Sequence, residues 1–187
     1  MSSVAGLLLA PGAGASRESP ALVAVEAAVA PLPVVRMDFP YRKAGRKAPD
    51  KAPVLVRTVV EEAEALAASL GVGTDALVLG GRSMGGRMCS MAVAEGLPAA
   101  GLVLLSYPLH PPGRPEKLRI EHLPDVRVPC LFVSGTKDPF GTPDELTAAT
   151  ALVGGRVTSH WLEGAGHAPR ADAAIAAVVA DWVAGLG

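Results

Sequence analysis

The chain has 187 residues, enough for one domain (1–187) that buries a real core without help from metals or disulfides. It is 50% hydrophobic and 19% charged, which excludes disorder, and its net charge of -1 excludes a basic field for nucleic acid or acidic lipid. Cys89 and Cys130 are its two cysteines; both lie in apolar segments outside any CxxC pair and read as reduced thiols.

The first apolar run, "VAGLLLA" at residues 4–10, has no Lys or Arg before it and does not fit a signal peptide. No apolar run is long enough to span a bilayer, so the expectation is a soluble, cytoplasmic protein. That first run predicts a buried strand ending at "PGAG". Residues 19–30, "SPALVAVEAAVA", predict a helix with Ser19 as cap and Pro20 at its first position. "PVVRMDF" at 33–39 is the next strand, an expected sheet edge that could pair between chains, so monomer and homodimer both stand. Residues 53–71 predict a long helix stopped by Gly71. "ALVLGG" at 76–81 is a third strand, and 84–96 a helix rich in small residues. Residues 100–108 and 129–135 predict strands four and five. A helix opens at Thr142, with Glu145 three residues on as in a capping box, and runs to 150. Residues 156–164 are strand six, and 168–187 supply a closing helix.

The strands are continuous apolar runs, so both faces of their sheet should be covered. The fold class is therefore α/β: a three-layer sandwich with a mostly parallel sheet of about six strands and helices on both faces. Two irregular stretches, 40–53 and 109–128, follow strand C-termini, the edge where open α/β sheets carry their sites. The first holds five Lys or Arg residues and reads as a solvated loop or as a rim for an anionic substrate.

Between the third strand and the following helix stands "GGRSMGG", a G-x-S-x-G sequence centred on Ser83. A sharp strand-to-helix turn brings two elements close together, and glycines two before and two after the apex remove the side chains that would collide. The serine is then exposed at a helix N-terminus, where N–H groups favour negative charge. Two readings of Ser83 stand at this point: a nucleophile, or a residue that caps the helix. A nucleophilic serine needs a base and an orienting acid, here in the order Ser, Asp, His. "GTKDPF" puts Asp138 just past strand five, and "GAGH" puts His167 just past strand six, both at the edge that holds Ser83. Asp144 and Asp172 fall in helical patterns and read as solvated. Of the other histidines, His160 reads as packed within a strand, His122 is a rival base, and His110 is a candidate substrate contact after strand four.

An oxyanion hole would use the N–H of Met84, the residue after the nucleophile, and a second N–H from the "PGAG" loop, assigned to Ala13 between Gly12 and Gly14. "GAGASR" lacks the last glycine of a dinucleotide loop and the Gly-Lys-Ser/Thr of a P-loop, so no nucleotide cofactor is expected. His160, Glu163 and His167 match no ligand motif, so no metal is expected either. Arg82 either binds a substrate carboxylate, as Arg17 could, or forms a salt bridge with Asp38 under the turn.

The order "PGAG", "GGRSMGGR", "GTKDPF", "GAGH" resembles the α/β-hydrolase fold along nearly the whole chain. "GGRSMGGRM", "SYPLHPPGRPEKLR" and "PCLFVSGTKDPFG" resemble small hydrolases grouped with testis-expressed and non-specific-lethal-complex hydrolase-like proteins, and the wider dienelactone-hydrolase-like group. The resemblance implies a triad of Ser83, Asp138 and His167, and a chain that starts at the family's third strand. There are departures: Pro11 replaces a frequent His, and Ser83 stands where dienelactone hydrolases usually carry a cysteine. Residues 109–128 are too short for the lid domain that many relatives insert there, which favours a small-molecule acyl substrate, an ester or thioester, or an acyl group presented on a larger partner. The expected activity is that of a serine hydrolase working through an acyl-enzyme. The alternatives are a non-catalytic interaction module on the same fold and an acyltransferase.

Overall fold

Leu7, Leu8 and Leu9 are all fully buried, yet they serve two different cores. Side chains alternate across a strand, so Leu7 and Leu9 enter one apolar cluster while Leu8 and Ala10 enter another. The same split runs through the neighbouring strands and makes the structure a three-layer sandwich. The computed structural model describes residues 4–186, so the last position of the predicted closing helix, Gly187, lies outside the described residues.

Six strands form one sheet: β1 (Gly6–Ala10), β2 (Val34–Arg36), β3 (Leu77–Arg82), β4 (Gly101–Leu105), β5 (Cys130–Gly135) and β6 (Val157–Leu162). Their order is β2-β1-β3-β4-β5-β6 and every pairing is parallel. Helices α1 (Pro20–Val29) and α6 (Asp172–Ala184) cover one face, where Leu22, Val25, Ile175 and Val179 meet Val78, Val103 and Val133. Helices α3 (Ala52–Leu70), α4 (Met84–Ala94) and α5 (Pro143–Thr150) cover the other, packing Val59, Met88 and Leu146 against Leu79, Leu104 and Phe132.

Local chemistry sets several boundaries as the sequence implies. Thr142 caps α5 in a reciprocal capping box with Glu145, and Gly71 ends α3 in a left-handed conformation. Ser19 makes no side-chain cap; Pro20 opens α1 with its fixed φ instead. The stretch 40–53 is not wholly irregular, because α2 (Pro40–Lys43) forms there and carries the fully buried Tyr41. Two of its five basic residues are paired, Lys43 with Glu62 and Arg46 with Asp50. The sheet has a second edge at β6, where Thr158 and Ser159 are exposed and His160 is half-buried. Among the described residues, no helix is long and apolar enough to cross a membrane.

Leu104 sits on a central strand with no exposed surface and packs in the α3–α4–α5 core. Leu104→Ala removes its contacts and leaves a cavity, and urea denaturation should show a stability loss of about 2–5 kcal/mol.

Candidate active site

Four strand ends deliver the site. The loop after β1 brings Gly12, Ala13 and Gly14, the turn after β3 brings Ser83 and Met84, the loop after β5 brings Asp138, and the loop after β6 brings His167. In a parallel sheet all of these loops leave the same edge.

At the turn itself, Ser83 has φ 50° and ψ -119°, a conformation that costs a non-glycine residue about 1–3 kcal/mol. Crowding holds it there. The backbone of α4 presses on the end of β1 so closely that a Cβ on Gly81 or Gly85 would run into the Ala10 carbonyl. Gly81 also has φ +154°, which side chains rarely adopt. The Ser83 hydroxyl makes no cap to the helix that it precedes. The capping reading therefore fails. The hydroxyl lies 2.8 Å from Nε2 of His167 instead.

His167 continues the chain. Its Nδ1 lies 2.8 Å and 3.0 Å from the two carboxylate oxygens of Asp138. A carboxylate only accepts, so Nδ1 carries the proton, and Nε2 is left to accept the Ser83 O–H. Asp138 is 4% exposed, shielded from competing water. Two contacts with Phe140 steady the pair: its N–H donates to Asp138 Oδ1 at 2.8 Å, and its ring stacks on His167 with centroids 3.9 Å apart.

A cleft of about 550 Å³ opens over Ser83, lined among others by Gly12, Ala13, Gly14, Arg82, Met84 and His167. Ala13 and Met84, the assigned oxyanion donors, thus share the cleft with the serine. The Ala13 carbonyl accepts the Tyr41 hydroxyl at 2.7 Å, which ties the loop after β1 to α2. Between β4 and β5 the stretch 109–128 holds a single 3-10 turn, Leu123–Asp125, and no added domain.

Four assignments need correction. Arg82 and Asp38 form no ion pair: Asp38 follows β2, and β1 with its loop lies between β2 and β3. Arg82 donates to the His167 carbonyl at 3.1 Å, and Asp38 accepts the Arg17 N–H. Arg17 does not line the cleft; its guanidinium is turned outward to Glu18. His110 is buried, with its ring between the Pro111 carbonyl and Glu145, and it does not line the cleft either. His122 is no base for Ser83. It bonds to Ser90 at 2.8 Å, and burial, then the nearby Arg87, press its pKa down to about 4.

Sequence reasoning missed Tyr41, Phe140 and Arg119 as site residues. Phe140 had a signal, since it stands two residues after Asp138, within reach of an Asx-type bond from the carboxylate. Tyr41 and Arg119 had none, because each reaches the site across the fold.

A serine at a strained strand-to-helix turn, backed by a His and an Asp at one edge of a parallel sheet, defines the α/β-hydrolase class. The family described as an alpha/beta hydrolase domain matches residues 3–174, and the chain belongs to that family. Solved structures share the fold over nearly all of the chain. Dienelactone hydrolase from Anabaena variabilis is 20% identical, with a TM-score of 0.77, over 98% of this chain and 87% of that one. The type II thioesterase BorB from the borrelidin biosynthetic cluster is 20% identical, with a TM-score of 0.70, over 95% and 92%. Est1E from Butyrivibrio proteoclasticus is 12% identical, with a TM-score of 0.76, over 100% and 89%.

Gly85→Ala forces α4 away from β1, and urea denaturation should show a loss of about 1–3 kcal/mol, the usual cost of overpacking. The thiols of Cys89 and Cys130 are buried and both are pushed up to about 12. A thiol-reactive disulfide reagent at pH 8 should leave both unmodified in the folded protein and modify both in urea; fast reaction of either in the folded state would contradict their burial.

Proposed function

We propose that the protein is a serine hydrolase that cleaves a small ester or thioester through an acyl-enzyme. The observation that carries this reading is the unbroken hydrogen-bonded chain from Ser83 through His167 to Asp138. A structural serine has no need of a histidine aligned by a buried carboxylate.

In the first half-reaction, Ser83 Oγ attacks the acyl carbonyl and its proton passes to His167 Nε2. Asp138 accepts from Nδ1–H throughout and stabilises the imidazolium. The N–H groups of Ala13 and Met84 receive the oxyanion, at a helix N-terminus where negative charge is favoured. His167 then protonates the leaving alcohol or thiol. In the second half-reaction, His167 takes a proton from water, the hydroxide attacks the acyl-enzyme, and the proton returns to Ser83 as the carboxylic acid departs. The tie from Arg82 to the His167 carbonyl fixes the loop that carries the base.

A fluorophosphonate probe read by intact mass tests the proposal. One adduct on the wild type and none on Ser83→Ala is expected. Asp138→Asn favours the wrong histidine tautomer, and its rate of acyl ester turnover should fall by roughly 10⁴-fold. A wild type that takes no adduct and turns over no acyl ester would replace this reading with a non-catalytic interaction module; transfer of the acyl group to an added alcohol in preference to water would replace it with an acyltransferase.

A further inference from the structure

The cleft over Ser83 carries a charge asymmetry that the hydrolytic chemistry does not use. Three arginines line it, Arg82, Arg87 and Arg119, and no Asp or Glu does. Arg82 is engaged by the His167 carbonyl. Arg87 and Arg119 remain, and among the described residues neither has a carboxylate within 4.0 Å. Arginines elsewhere do meet carboxylates, Arg17 and Arg46 on the surface and the mostly buried Arg36 beside Glu26.

Both guanidinium-bearing residues line the one cleft. Burial first, and then the positive charge of Arg87, lower the pKa of Arg119 from its ordinary value. Arg87 Nε is buried with no hydrogen-bond partner. Other groups around the pair offer little compensation: Tyr107 donates its hydroxyl to the Arg119 carbonyl, His122 is bonded to Ser90, and Glu121 is exposed. A lone contact, from Arg119 to the Pro108 carbonyl at 3.2 Å, engages one of its nitrogens. Two half-buried cations that share one cleft, with donors unspent, favour an anion between them. A planar fork suits a carboxylate or a phosphate.

Position ties this pair to Ser83. Arg87 follows the serine by four residues on α4, so both lie on one face of the helix, and the Arg87 N–H donates to the Ser83 carbonyl at 3.1 Å. Arg119 is anchored by its own backbone N–H to the Leu109 carbonyl. We propose that Arg87 and Arg119 form an anion subsite, so that the substrates are acyl esters or thioesters bearing an oxyanion, either a carboxylate on the acyl chain or a phosphate on the leaving group. This inference rests on the serine-hydrolase reading for its chemistry, though not for its binding site.

The test compares p-nitrophenyl butyrate, the mono-p-nitrophenyl esters of glutarate and adipate, and butyryl-coenzyme A. The expected result is a kcat/KM for one anionic class at least tenfold above that of neutral butyrate. A gain with the dicarboxylate half-esters assigns the anion to the acyl chain, and a gain with the coenzyme A ester assigns it to the leaving group. The ratio of anionic to neutral kcat/KM should fall about tenfold or more in Arg87→Met and in Arg119→Met, the value of one charge-assisted hydrogen bond. Arg87→Lys and Arg119→Lys, which keep the charge and lose the fork, cover the case of a variant that fails to fold and should recover part of the ratio. Neutral and anionic esters turned over equally would overturn the subsite while leaving the hydrolase intact. Thermal unfolding of Ser83→Ala in glutarate or inorganic phosphate separates the two readings. A rise in Tm that disappears with Arg87→Met upholds the subsite even where no ester is cleaved, and no rise with either anion overturns it.

Discussion

The approach of α4 to the end of β1 is the constraint on which the site depends. Ala10 is fully buried, and its carbonyl faces Gly81 on one side and Gly85 on the other with no room for a side chain. That closeness bends the chain at Ser83 into a conformation a free serine would leave. The strain is sustained by the sheet and not by the turn. The residues on either side of the turn are locked by ladder pairing of β3 with β1 and β4, and by the packing of Met88 and Cys89 beneath α4. The turn relaxes only if the helix lifts off the sheet, and lifting it opens the larger of the two apolar cores.

Everything else in the site is placed relative to that turn. Asp138 and His167 leave β5 and β6, which reach β3 only through β4, so their separation from the serine is set by sheet register. The loop bearing His167 is held where it crosses the top of the sheet. Gly135 at the end of β5 lies against the Ala165 backbone too tightly for a Cβ, the Lys137 N–H donates to the Ala165 carbonyl at 2.8 Å, and Arg82 reaches the His167 carbonyl. The histidine ring thus meets Ser83 and Asp138 with its backbone fixed at two points, and the Phe140 ring closes its face. Rigid placement of this kind is what a base needs to work through one nitrogen while being oriented through the other.

How much of this was legible in the sequence follows from where each residue gets its position. Ser83, Asp138 and His167 are each the punctuation after an apolar run, so strand spacing alone brings them to one edge. The sheet order β2-β1-β3 is not written in any local pattern, and the pairing of Arg82 with Asp38 failed on it. His110 was misplaced for a similar reason: its partner Glu145 lies on α5, 35 residues away, and draws the ring into the protein. The basic stretch after β2 hid Tyr41, because its Lys and Arg residues dominate the composition while the tyrosine alone turns inward to hold Ala13. Caps were read better when chemistry was reciprocal. Thr142 and Glu145 satisfy each other, whereas Ser19 had only a preference and Pro20 made it unnecessary.

The electrostatics of the cleft extend the same logic. Asp138 is bonded to His167 and withdrawn from solvent, and no Asp or Glu lines the cleft beside Arg87 and Arg119. The cleft thus holds a carboxylate-backed imidazole together with the guanidinium groups of Arg87 and Arg119. An acyl group lying between them would place its carbonyl at the serine and any negative charge toward Arg87 and Arg119. An approaching anion would feel that field before it made contact, and the low local dielectric of a partly enclosed cleft would strengthen the attraction. Arg87 lies one helical turn beyond Ser83 on α4 and Arg119 lines the same cleft from the stretch after β4, so under the proposed subsite the two would set which end of a substrate enters first.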